Sequence, residues 1–359
     1  MPIDEVLPRA LRRAAGNPPS DVGDWDTLRS RAVTRRRHKK LHVGAALATV
    51  AIVAAGLGVA TRGSDDSHRV VATPPRSGEI VAEVSDHGVP TFVVLSATDG
   101  HVVRTLTSRP GLSYGAAMSV PASGGPIYAT FSRPEGPGGC TNVGSLPAVG
   151  TIPRKGGTID LLLGDSSNPV VSADGRWLAY EIDVTCFATP TLGLTNVVTG
   201  TNYRPFEGNT QAAVTPLAIA PDGSKLVFLA GAPGNHLEQR AAFVMNRLPF
   251  DQSPQRLTMP GPVEAAAYLP DGQLVLAYLL AGTHHIVTVD GSGAIVEQLF
   301  ASTTGASVQL SADPSGRLLI VFDNGVVQVW APGDAAPVTI VPDATTIDVR
   351  SATWLPAAT

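Results

Sequence analysis

The sequence predicts an all-β chain folded as a six-bladed β-propeller, preceded by one transmembrane helix and a short basic cytoplasmic arm. Three observations carry this expectation. Gly (37) and Pro (30) make close to one residue in five of 359, well above the proportion in an average globular chain. Mean hydropathy is nonetheless +0.14, too apolar for a disordered chain. An Asp-Gly turn recurs at a nearly constant interval, and the last residues copy the opening strand of an internal repeat. Seven blades is the alternative count.

Residues 1–40 carry ten Lys/Arg against five Asp/Glu, whereas the rest of the chain carries 16 against 25. The arm is too short for a core of its own. A first helix is expected over 3–15, with Leu7 and Leu11 one turn apart. Asn17-Pro18-Pro19-Ser20 ends it, and Asp24 caps a second helix through Trp25, Leu28, Ala32 and Val33. Trp25 and Leu28 are the candidate anchors for a cytoplasmic protein. Attraction of the Arg run to anionic lipid is the alternative. Residues 41–60 contain no charge, and 20 helical residues span about 30 Å, the hydrocarbon thickness. The basic block 35–40 before them places the N-terminus in the cytoplasm and the rest of the chain outside. A cleaved signal peptide would export the same domain. Residues 61–77, with Pro74 and Pro75, read as a linker.

From residue 78 the chain repeats. Val171-Ser172-Ala173-Asp174-Gly175 is followed by Trp177-Leu178-Ala179-Tyr180. Ile219-Ala220-Pro221-Asp222-Gly223 and Tyr268-Leu269-Pro270-Asp271-Gly272 lead into similar apolar runs. A looser copy ends at Gly316 and an eroded one at Gly125. Glycines 125, 175, 223, 272 and 316 lie 44 to 50 residues apart, the period of four-stranded propeller blades. Asp174, Asp222 and Asp271 with Gly175, Gly223, Gly272 and Gly316 are read as structural turn residues, because a tight hairpin turn needs positive φ. Third strands are expected at 192–198, 242–245, 286–289 and 326–330. At the chain's end, Ser351-Ala352-Thr353-Trp354-Leu355-Pro356 copies Ala265-Ala266-Ala267-Tyr268-Leu269-Pro270. Strand 350–356 is therefore a first strand without a second. Residues 80–84, 92–95 and 102–106 supply strands two to four, so the domain over 78–359 closes by joining its ends.

These Pro-Asp-Gly elements resemble those of the TolB-like, WD-repeat-like propeller family, over roughly residues 78–359, and the whole plan resembles actinobacterial exported propeller proteins. The resemblance implies architecture and says little of activity. The arm, span and exported domain also resemble actinobacterial membrane-bound anti-sigma-like proteins. That would imply a regulator coupling an exported sensor to a cytoplasmic partner, although the arm lacks a His-x-x-x-Cys-x-x-Cys element.

Chemistry-bearing residues are sparse. Cys140 and Cys186 fall in matching loops of neighbouring blades, and an exported pair is expected to form a disulfide, two separate thiols being the alternative. His284 and His285 point to opposite faces of a strand, so at most one faces a given site. His87, His101 and His236 are isolated. No nucleophile elbow, Walker loop or zinc-protease motif occurs. No catalytic residue, metal ligand or cofactor is assigned, and the acidic propeller argues against nucleic acid. Loops between second and third strands are long around 133–145, 184–190 and 231–240 and short in the next two blades. A rim of that kind is where a rigid scaffold carries binding. Its candidates are Arg133, Glu135, Phe187, His236, Glu238 and Arg240, with neutral drift of surface loops as the alternative. The expected function is a non-catalytic binding module for a protein or cell-envelope ligand, anchored in the cell membrane. The anti-sigma-like regulator and a lactonase- or lyase-like propeller enzyme are the alternatives.

Overall fold

A computed structural model of the protein describes residues 78–86, 89–108, 114–134, 145–182, 190–206, 213–231, 240–246, 248, 254–345 and 347–357. The basic arm with Trp25 and Leu28, the apolar segment 41–60 and the linker lie outside them. Among the described residues no helix is long and apolar enough to cross a membrane.

Among the described residues, twenty-four strands form six sheets of four. Blade 1 is composite: β1 (Glu79–Asp86), β2 (Val89–Ser96) and β3 (Val102–Ser108) are completed by β24 (Asp348–Leu355) in the order β24-β1-β2-β3. Blade 2 holds β4 (Tyr114–Ser119), β5 (Ile127–Pro134), β6 (Ser145–Ile152) and β7 (Asp160–Gly164). Blade 3 holds β8 (Ser166–Val171), β9 (Trp177–Ile182), β10 (Thr191–Asn196) and β11 (Thr201–Tyr203). Blade 4 holds β12 (Ala213–Ile219), β13 (Leu226–Gly231), β14 (Ala241–Met245) and β15 (Gln255–Arg256). Blade 5 holds β16 (Val263–Tyr268), β17 (Leu274–Leu280), β18 (Thr283–Val289) and β19 (Ile295–Ser302). Blade 6 holds β20 (Val308–Ala312), β21 (Leu318–Phe322), β22 (Val327–Trp330) and β23 (Val338–Val341). The first strands β4, β8, β12, β16, β20 and β24 each touch the next, and β24 returns to β4. The ring is closed, with six blades.

Alternation along each strand builds the core between blades. Ile80, Ala82 and Leu95 of blade 1 pack against Leu319, Val321 and Val329 of blade 6. Val81, Phe92 and Val94, on the other face, pack against Ile127, Ala129 and Phe131 of blade 2. Period-two strands buried on both faces produce this pattern. One apolar cluster fills each of the six gaps between neighbouring blades.

The repeated turns are type I turns closed by a left-handed glycine. Gly175, Gly223, Gly272 and Gly316 have φ of 71°, 71°, 85° and 85°, and each donates its N–H to the carbonyl three residues back. Positive φ falls on the glycine alone. The preceding aspartates do a different job: Asp174, Asp222 and Asp271 accept the backbone N–H two residues on, at 2.9 Å in each case. That is an Asx turn. In blade 6 the aspartate is displaced to the turn's first position, where Asp313 accepts from Ser315 N at 2.9 Å and Arg317 N at 2.8 Å. In blade 2 the equivalent glycine is Gly124 and not Gly125, since Gly124 N donates to Pro121 O.

The turns define one face of the ring, the turn face, and the loops between second and third strands define the opposite loop face. The chain enters at Gly78 on the turn face, where Gly78 O accepts from Ala97 N.

Candidate functional site

The six first strands surround a central cavity of about 820 Å³. Most of its wall is small and apolar, including Ala117, Val170, Ala265 and Leu310. Among the described lining residues the charged ones are Glu181, Arg240 and Glu264. They belong to blades 3, 4 and 5 and stand at strand ends toward the loop face: Glu181 near the end of β9, Arg240 just before β14, and Glu264 near the start of β16. Gln309, Ser311 and Thr353 line the side formed by blades 6 and 1 without charge.

Bulges aim two of the polar residues, Asn168 and Glu264, into the cavity. The pairing of β8 with β9 shifts between Ser167 and Val170, that of β12 with β13 between Pro216 and Ala218, and that of β16 with β17 between Val263 and Ala265. The residues left over, Asn168, Leu217 and Glu264, all line the cavity. Pro169 and Pro216, which have no N–H for the ladder, sit at two of these shifts. Asn168 adopts a left-handed conformation with φ 51° and its N–H donates to Thr130 Oγ1 at 3.0 Å.

Two polar groups result. In the first, Glu181 Oε2 accepts from Asn168 Nδ2 at 2.8 Å and from Thr215 Oγ1 at 2.9 Å. Arg240 Nη1 donates to Thr215 Oγ1 at 2.7 Å. The Thr215 proton is committed to Glu181, so its lone pair is free for Arg240. In the second, His284 is wholly buried, its Nδ1 lies 2.7 Å from Glu264 Oε2 and its Nε2 3.3 Å from Gly305 O. A carbonyl can only accept, so Nε2–H donates to Gly305 O and Nδ1 is the nitrogen that faces the Glu264 carboxyl. Burial pushes the Glu264 carboxyl up; His284 opposes this and the Asp323 carboxylate adds to it.

Of the rim residues expected from loop length, Arg240 lines the cavity. Arg133 lies in β5, its backbone opposite Leu146 of β6. Glu135, Phe187, His236 and Glu238 lie outside the described residues, as do Cys140 and Cys186. His284 and His285 face opposite ways: His285 stacks on Tyr278 with ring centroids 5.0 Å apart. His101 is exposed beside Asp99, its Nδ1 at 2.6 Å from Oδ1. Among the described residues no three His, Cys, Asp or Glu side chains stand together as a metal site. Sequence reasoning missed Asn168, Glu181, Thr215 and Glu264. The one local signal was proline inside a first strand, at 169 and 216.

Solved structures share the fold. TolB from Acinetobacter baumannii superposes with a TM-score of 0.58 and 16% identity, covering 79% of this chain and 68% of its own. A protein assigned as TolB in Agrobacterium tumefaciens gives 0.52 and 15% identity over 79% of this chain and 99% of its own. A chain of a nidogen–laminin complex gives 0.54 and 9% identity over 77% of this chain and 97% of its own. No family model and no curated protein sequence matches the chain. The protein is a six-bladed β-propeller with TolB-like structural neighbours. Its loop face, where the cavity gathers its charge, is where this propeller differs from blade to blade.

Proposed function

We propose that the chain is a single-pass membrane protein, N-terminus in the cytoplasm, whose exported propeller binds a protein or cell-envelope component and performs no catalytic step. The observation that carries the binding reading is an overlap. The long second-to-third-strand connections are in blades 2, 3 and 4, and the charged cavity residues are in blades 3, 4 and 5, on the same face. In blade 5 the same connection is the two-residue turn Ala281-Gly282. A rigid ring with its variation gathered on one sector of one face is suited to recognition. That one matching fold comes from a protein–protein complex supports the reading. The uncharged stretch 41–60 behind a basic block supports the anchor.

A photo-crosslinking side chain at Arg133 or Phe187 of the full chain should trap a partner in cells, while one at Val296 on the outermost strand of blade 5 should not. Product only from Val296 would overturn the assignment of the face. Alkaline phosphatase fused after residue 77 should be active, and fused before residue 41 inactive; the reverse pattern would overturn the topology.

A further inference from the structure

Arg240 is held in an unusual way for a charged side chain. Its Nη1 is fixed by Thr215, and among the described residues its Nε, out of contact with solvent, has no acceptor and no carboxylate forms an ion pair with it. Its stem lies against Gly231, where a Cβ would come within 2.8 Å of Arg240 Cγ. Arg240 is itself only partly buried and lines the cavity, so it presents a charge there without a counter-charge, and the planar donors of a guanidinium suit a carboxylate. The neighbouring Glu181 cannot serve through Oε2, which already accepts from Asn168 and Thr215.

We propose that the central cavity binds a small monocarboxylate that also carries a hydroxyl or ammonium group, the carboxylate seated on Arg240 and the donor on Glu264. Two carboxylates on the same wall disfavour a dianion such as phosphate. The uncharged wall of Gln309, Ser311 and Thr353 accommodates the neutral remainder of the ligand. A volume of about 820 Å³ lies within the usual range for small-molecule sites. The site depends neither on the anchor nor on a partner at the loop face, so either proposal can fail without the other.

Thermal-shift and calorimetric titrations of the full chain with acetate, L-lactate, glycine, the methyl esters of the last two, and inorganic phosphate decide the matter. Lactate or glycine should raise the melting temperature saturably and bind about ten-fold more tightly than acetate, and the esters should not bind. Arg240→Met should weaken binding about thirty-fold, with Arg240→Lys intermediate. Glu264→Gln should remove the advantage over acetate while acetate itself still binds. Trialanine against its C-terminal amide separates a polypeptide end from a free small acid as the source of the carboxylate. Esters binding as well as acids, phosphate binding more tightly than any acid, or no saturable shift with any acid would each overturn the proposal. The panel on the unaltered chain suffices even if a variant fails to fold.

Discussion

Glu83 shows what this ring does to a single carboxyl. It is 5% exposed, and its Oε2 has no hydrogen-bond partner among the described residues; the same holds for the buried Oγ of Ser351 directly across the β1–β24 ladder. Burial raises its pKa to about 8, with Arg350 opposing. The unfolded chain ionises this group near 4.5. The folded state therefore binds a proton that the unfolded state releases, and the group's contribution to stability is full below about 4.5 and is lost as pH rises toward 8. Between those values the difference between wild type and Glu83→Gln should change by up to about 1.4 kcal/mol per pH unit in favour of the variant. Thermal denaturation from pH 4 to 9 measures it, and parallel curves would refute it. At this scale the sequence was least legible. Arg240 was found because its loop is long. Asn168 and Glu264 reach the cavity only through bulges, which break the period of two from which a face is read. Glu181 matters because another blade lies beside it.

Hairpin turns and the closing strand are the elements that specify the ring, and they separate two costs. Gly272 and Gly223 share the left-handed conformation, but a Cβ at 272 meets nothing within 4 Å, whereas one at 223 comes within 3.0 Å of Trp177 Cδ1. Gly272→Ala should cost about 1 kcal/mol from backbone strain alone. Gly223→Ala should cost more, because the indole must also shift. Urea denaturation of both variants tests this, and equal losses would contradict it. Trp354 in β24 is the joint between blades 6 and 1. It is buried, its Nε1 donates to Ser311 O at 3.2 Å, and the Arg317 guanidinium lies 4.6 Å from its ring centroid while pairing with Asp313 at 2.6 Å. Trp354→Ala should destabilise by about 3–5 kcal/mol, and Trp354→Phe by far less, read from the same denaturation curves. Elements were the most legible level. The Asp-Gly pairs mark hairpins because left-handed backbone selects glycine, and strands follow from apolar alternation between them. The blade 2 turn was placed one residue late because Gly124 and Gly125 are adjacent and no aspartate marks the position.

The whole molecule is held by gaps between blades, each filled from both sides, so no blade is stable by its own packing. The count of six was legible because the final strand copies a first strand and the opening strands lack one. The grouping of charge on one sector was not, because it depends on which strands the ring makes neighbours. Deleting residues 348–359 should leave β1 with an unpaired edge and expose the blade 6 gap. That variant should lose cooperative unfolding and associate, seen by gel filtration and calorimetry; a monomer with an unchanged transition would be the contrary result. The composite blade also sets a clock on biogenesis. A chain synthesised from its N-terminus presents β1 first and receives β24 last, so every earlier stage is an open arc with one strand waiting. The ring can lock only after the remainder of the propeller has been synthesised, and throughout that interval the waiting edge is open to chaperones, proteases or another copy of the same arc.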